Sequence, residues 1–260
     1  MKWTLPAVLM LIAGVTHAAL KGKTIEYKEG KTVLEGYLVY DGAVQGKRPA
    51  VVVVPDWMGM SPFARDRADE LAKLGYIALA ADVYGKGVRP KDSTEASALV
   101  KIYKGNRPLL RARAKAALDT LLAQSQTDPS RVAAMGYCFG GTTALELARS
   151  GAPLAGVVTF HGGLDTPTPA DAKNIKGKVL ALHGADDPFV PPAQVADFEK
   201  EMTDAKVDWQ LVKYSGAVHA FAVPSAGNDS SKGAAYNERA ARRAWQAMKD
   251  FFVEIFNGGR

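Results

Sequence analysis

Residues 131–149 read RVAAMGYCFGGTTALELAR, a short apolar strand over 131–136 that gives way almost at once to a helix over 142–149. Between them lies Gly136-Tyr137-Cys138-Phe139-Gly140-Gly141. Glycines stand two residues before and two after Cys138, the G-x-S-x-G turn with cysteine in place of serine. The requirement is steric: the central residue occupies a sharp strand-to-helix turn, where a side chain at either glycine would collide with the neighbouring strand or helix. The turn lifts its central side chain above the sheet at a helix N-terminus, which favours a thiolate and offers backbone N–H groups to an oxyanion. The same six residues also suit a buried cysteine in a Gly-rich turn, so the partners decide. A dinucleotide fingerprint fits poorly, because G-x-G-x-x-G is absent.

Outward from this turn, strands and helices alternate. Residues 24–40 alternate apolar and polar as a β-hairpin turning at Glu29-Gly30. Residues 50–54 (AVVVV) form a continuous β-branched run ending at Pro55, the mark of a strand buried on both faces. Ser61-Pro62 opens a helix carrying Ala64, Ala68, Leu71 and Leu74, which Gly75 stops. A second buried strand spans 76–81, and 96–123 is helical in two pieces interrupted near Gly105-Asn106. Buried strands follow at 154–160 and 179–183, joined by a polar connection over 162–177. A helix spans 191–202, a strand 207–214, and a last helix 237–256 carries Ala244, Met248, Phe251 and Ile255 on one face. This pattern predicts one α/β domain whose mostly parallel central sheet carries helices on both faces.

Composition agrees with a globular chain: of 260 residues, 47% are hydrophobic and 23% charged. The 33 basic residues against 27 acidic ones give +6 without basic runs. Such a spread charge reads as solvated surface, and no nucleic-acid partner is expected. The single cysteine excludes an intramolecular disulfide and a cysteine-based zinc cluster. Residues 1–18 carry one early charge, Lys2, an apolar run from Leu5 to Val15, and Thr16-His17-Ala18 in a small-x-small pattern. They read as a signal peptide cleaved after Ala18 or Ala19, too short in their apolar run to span a bilayer. The expected mature domain is 19–260, with net charge +5, periplasmic or secreted, and without a stable membrane anchor. One cysteine in an oxidising compartment has no internal partner.

A thiol nucleophile needs a base. His17 leaves with the signal peptide, so His161, His183 and His219 remain. His161 follows Cys138 too closely for an acid strand to intervene. His183 ends a strand just before Gly184-Ala185-Asp186-Asp187-Pro188 and reads as structural. His219 lies in a small-residue loop between the last strand and the last helix, which makes it the candidate base. The acid belongs in the preceding strand's loop. There Asp187 is the candidate that accepts from the imidazole and fixes its tautomer, with Asp186 bracing the loop.

The chain resembles the dienelactone hydrolase family of α/β-hydrolases over nearly all of residues 19–260. The resemblance rests on VVVVPDWMG at 51–59, ADVYG at 81–85, GYCFGG at 136–141, HGADDPFVP at 183–191 and VHAFAVP at 218–224. It implies Cys138 as nucleophile, Asp187 as acid, His219 as base, and an oxyanion hole of the Phe139 and Trp57 backbone N–H groups. It implies neither metal nor organic cofactor. Three positions depart from the family. Asp56 stands where a glutamate is common, one methylene shorter. Where enzymes acting on dienelactone hold the substrate carboxylate with arginines, this chain has Lys86, which lacks the bidentate fork, and Val223. The expected pocket is formed by Asp56, Tyr84, Lys86 and Phe221.

The expected activity is cleavage of a small-molecule ester or lactone through a covalent acyl-enzyme, by a chain expected to be monomeric. The competing readings are a general carboxylesterase or thioesterase, and a non-catalytic periplasmic binding protein on a hydrolase scaffold. A thiol redox protein lacks its second cysteine.

Overall fold

The computed structural model describes residues 19–258; the signal-peptide expectation for residues 1–18 lies outside them. Among the described residues eight strands form one sheet: β1 (Leu20–Glu29), β2 (Thr32–Asp41), β3 (Arg48–Val54), β4 (Ile77–Ala80), β5 (Thr127–Tyr137), β6 (Gly156–Phe160), β7 (Lys178–Gly184) and β8 (Trp209–Tyr214). Their order is β1-β2-β4-β3-β5-β6-β7-β8. The hairpin pair and the β2–β4 pair are antiparallel, and from β4 to β8 every neighbouring pair is parallel. The turn falls at Gly30-Lys31, with Gly30 at φ 54°, where glycine carries no Cβ penalty.

Among the described residues six helices cover the sheet: α1 (Pro62–Lys73), α2 (Ser93–Gly105), α3 (Arg107–Leu122), α4 (Phe139–Arg149), α5 (Pro192–Asp204) and α6 (Glu238–Asn257). The alternation of β3 shows how both faces are used. Ala50, Val52 and Val54 join the core under α3, α4 and α5, while Val51 and Val53 join the core under α1 and α6. Each of those valines is fully buried, worth about 1.5–3 kcal/mol apiece. The break between α2 and α3 falls at Asn106, whose Oδ1 accepts the Leu109 N–H at 3.1 Å. The polar connection over 162–177 carries a short 3-10 turn, Pro169–Asn174.

The helix expected from residue 142 begins three residues earlier, so Cys138 is itself the N-cap of α4. Because β3, β5, β7 and β8 are parallel, their following loops gather at one edge of the sheet, where open α/β sheets bind ligands.

Candidate active site

The turn after β5 is built by close approach. A Cβ on Gly136 would lie 2.1 Å from the Gly140 carbonyl oxygen, and one on Gly140 would lie 2.2 Å from the carbonyl oxygens of Val54 and Pro55. Between them Cys138 takes φ 53°, a strained value for a residue with a side chain. Its N–H donates to the Phe160 carbonyl at 3.0 Å, and its carbonyl accepts from Gly141 and Thr142 at 2.9 and 3.2 Å. Strain on one bond of the turn is thus offset by hydrogen bonds on both sides.

The loop after β7 turns tightly, with the Asp187 N–H donating to the Gly184 carbonyl at 3.1 Å. Asp187 Oδ1 accepts the Phe189 N–H at 2.8 Å, which aims Oδ2 at His219 Nδ1, also 2.8 Å away. The loop after β8 holds His219 at both backbone ends: its N–H donates to Gly233 at 3.1 Å and its carbonyl accepts from Ala235 at 3.0 Å. The other ring nitrogen, Nε2, lies 3.0 Å from Cys138 Sγ. Sulfur, imidazole and carboxylate therefore stand in one line, drawn from three loops and spanning residues 138 to 219. Burial alone would lower the His219 pKa, but the hydrogen bonds to Asp187 and Cys138, together with their charges, push it up to about 10. Asp186 is exposed, and its N–H donates to the Ala217 carbonyl at 3.0 Å, tying the loop of Asp187 to the loop of His219.

A second wall comes from the loop after β3. Asp56 Oδ1 accepts the Met58 N–H at 2.8 Å, and its carbonyl accepts the Gly59 N–H at 3.0 Å. Burial raises the Asp56 carboxyl pKa, against the hydrogen bond from Met58 and the charge of His219. Among the described residues the Trp57 N–H has no protein acceptor, and the Phe139 N–H opens α4, where helix geometry leaves it unpaired.

The structure corrects three of the four expected pocket residues. Tyr84 is buried behind the site. Its hydroxyl donates to the Trp57 carbonyl at 2.9 Å, and its ring stacks on Phe139 at 5.7 Å, so it braces the two backbone segments instead of lining the cavity. Lys86 is drawn to the outer edge of the sheet, where its ammonium pairs with Glu26 and lies 3.9 Å from Glu35. Phe221 is fully buried on the α6 side, packed edge-on against His161 at 5.1 Å. Asp56 does line the cavity, as does Val223.

That cavity, of about 520 Å3, is otherwise walled by Trp57, Met58, Phe189, Ala220 and small residues from the 225–234 segment, with Cys138 and His219 at its base. Phe189 went unrecognised in sequence. It is 59% exposed and edge-on to His219 at 5.4 Å, and its only signal is an aromatic placed two residues after the acid. His161 stands beneath the base, fully buried at φ 40°, edge-on to His219 at 5.3 Å, with both ring nitrogens unpartnered among the described residues. Burial first, and then the His219 charge, hold its pKa well below the ordinary histidine value. His183 is buried at its strand end and makes no hydrogen bond to Cys138, Asp187 or His219. Among the described residues no group of three or more histidine, cysteine, aspartate or glutamate side chains is placed to hold a metal, and no helix is long and apolar enough to cross a membrane.

Residues 34–256 match the sequence pattern of the dienelactone hydrolase family. A Synechocystis protein named "Putative carboxymethylenebutenolidase" is 29% identical over 238 residues, 84% of this chain and 91% of its own. Among solved structures, one described as m3DLH is 45% identical, covering 92% of this chain and 99% of its own, with a TM-score of 0.88. Another, a dienelactone hydrolase-like promiscuous phosphotriesterase from metagenomic libraries, is 43% identical, covering 92% of this chain and 100% of its own, with a TM-score of 0.87.

Proposed function

The chain belongs to the dienelactone hydrolase family of hydrolases acting on ester or lactone bonds, and from that premise we propose that Cys138, His219 and Asp187 are its catalytic triad, acting through a covalent thioester. The observation that carries this reading is the unbroken line Asp187 Oδ2–His219 Nδ1–His219 Nε2–Cys138 Sγ at 2.8 and 3.0 Å. Asp187 accepts a hydrogen bond from the Nδ1–H, which leaves Nε2 to exchange a proton with sulfur. The Cys138 thiolate attacks the carbonyl carbon, and the carbonyl oxygen takes the negative charge. The N–H groups of Phe139 and Trp57 stabilise that oxygen, held in register by the Tyr84 brace. The C–O bond then breaks as His219 Nε2 protonates the departing alkoxide, leaving the acyl group on sulfur. A water loses its proton to His219 and attacks the thioester. The S–C bond breaks, releasing the acid and restoring the thiolate–imidazolium pair.

The test is hydrolysis of p-nitrophenyl butyrate by wild type and Cys138→Ala. The reading expects the variant to lose at least about a thousandfold in kcat while remaining cooperatively folded. A variant as active as wild type would sink it. The 43% identical phosphotriesterase favours a second substrate class for the same thiol, an uncharged phosphotriester, for which diethyl p-nitrophenyl phosphate is the probe.

Export follows from the reading of residues 1–18, with cleavage after Ala18 favoured by one local contact. The Ala19 nitrogen lies 3.0 Å from Asp41 Oδ1, so a mature chain beginning there would set its α-ammonium against a carboxylate. Intact mass of the periplasmic protein checks this: a chain starting at Ala19 is expected, and an unprocessed chain would refute it.

A further inference from the structure

We propose that the cavity above Cys138 selects uncharged, predominantly apolar esters and rejects those carrying a carboxylate, with Asp56 as the residue that sets the discrimination. The proposal rests on the thiol-hydrolase reading above and adds the substrate class.

The walls are apolar: Trp57, Met58, Phe189, Val223, Ala226 and Ala234 face the cavity, and among the described residues no lysine or arginine lines it. Lys86, the cation expected in this pocket from sequence, is committed elsewhere, and the exposed Lys232 lies 3.5 Å from Asp229 Oδ2. The Lys86 ammonium is held by Glu26 and Glu35 at the outer edge of the sheet. A substrate carboxylate entering the cavity would therefore lose its hydration with no cationic donor to replace it, the costliest way to bury a charge.

The charges that are present make the penalty larger. Asp187 is fully buried at its side chain and pairs with His219. Asp56 stands on the wall with Oδ1 occupied by the Met58 N–H, while Oδ2 has no protein donor among the described residues. With Cys138 and His219 as a thiolate–imidazolium pair, their charges cancel, and the two carboxylates leave the site net negative. The chain's overall positive charge does not act here, because exposed charges beyond about 10 Å are screened in salt. A neutral acyl chain meets none of this and gains from burial against the aromatic and aliphatic wall.

The size of the effect follows from Coulomb's law. Like unit charges about 6 Å apart at an effective dielectric of about 20 differ from a neutral pair by roughly 100-fold in binding or rate. Asp56→Asn keeps an oxygen to accept from Met58 and removes only the charge.

The experiment compares the p-nitrophenyl ester of adipic acid, which is anionic, with its methyl-capped diester, which is neutral and shares the leaving group. Wild type is expected to show kcat/KM about 100-fold higher on the neutral ester, and Asp56→Asn to shrink that ratio at least tenfold, mainly by raising the anionic rate. A wild-type ratio near one, or an unchanged ratio in Asp56→Asn, overturns the proposal. Should Asp56→Asn fail to fold, wild type with a trimethylammonium-ended ester of the same length decides. It outpaces the anionic ester if cavity charge discriminates, and matching rates overturn the proposal. Cys138→Ala run beside these separates the two claims, since retained turnover of both esters would refute the thiol mechanism, whereas loss of both with an even wild-type ratio would refute only the charge selection.

Discussion

At the scale of single residues, the site depends on positions where nothing larger fits. Gly140 is wedged against the carbonyls of Val54 and Pro55, so the backbone of the Cys138 turn touches the backbone at the end of β3 directly. Gly140→Ala must push these apart or unfold the turn. It is expected to cost more than about 3 kcal/mol in urea denaturation, and an unchanged midpoint would show that the turn can give way. The His219 pKa makes a second prediction at this scale. Raised in the folded state above its ordinary 6.5 to about 10, the pair stabilises the protein fully below pH 6.5, and that contribution is lost as pH rises through about 10. A charged imidazolium beside sulfur at neutral pH keeps the thiol reactive. Iodoacetamide should thus alkylate Cys138 readily at pH 6 in wild type and at least tenfold more slowly in His219→Gln. Equal rates in the two proteins would separate Cys138 from its neighbour.

At the scale of elements, α4 begins at the Cys138 turn and is itself anchored by a buried ion network. Arg149, fully buried at its last turn, bonds Glu201 of α5 through Nε and Nη2 at 2.8 and 2.7 Å, Glu146 at 3.1 Å and the Leu164 carbonyl at 3.0 Å. Arg111 of α3 completes it by donating to Glu146 at 2.8 Å. Arg149→Met leaves Glu201 buried without its partner and is expected to destabilise by about 3–5 kcal/mol in urea, with Arg149→Met/Glu201→Leu recovering part of the loss. A single variant within about 1 kcal/mol of wild type would show that Glu201 finds water instead. Most elements are legible in sequence because their signals are local: the β-branched run of β3, Pro62 opening α1, Asn106 dividing α2 from α3. The start of α4 is not. Gly140 and Gly141 have poor helix propensity, which places the predicted start at Thr142, whereas packing against β3 admits glycine alone and so starts the helix at Phe139.

For the whole molecule, the order of strands across the sheet decides what sequence can reveal. The convergence of Cys138, Asp187 and His219 is legible because parallel strands deliver successive loops to one edge, so chain order maps onto space. Of the walls Asp56 alone among the expected four is legible, because which face a side chain takes depends on neighbours distant in sequence. Phe221 turns into the α6 core, Tyr84 behind Phe139, and Lys86 towards glutamates on β1 and β2. The same layering places His161 between the sheet and the base loop, where it stays neutral in the folded protein. Its pKa, lowered first by burial and then by the His219 charge, lies below the 6.5 of the unfolded chain. The unfolded state therefore takes up a proton first as pH falls, and stability present above pH 6.5 is lost below it. Each pH unit below 6.5 removes about 1.4 kcal/mol for as long as the folded histidine remains neutral. His183, lowered chiefly by burial, acts in the same direction. Between pH 7.5 and 5.5 the gain from His219 opposes these losses, so the His161 share is read against a variant. His161→Phe keeps an aromatic ring against Phe221 and Tyr137 but removes the titrating group, so its urea midpoint should rise relative to that of wild type as pH falls over this interval. Parallel curves for the two proteins would mean that the buried imidazole is protonated in the folded state and that the energy of the layer beneath His219 has another source.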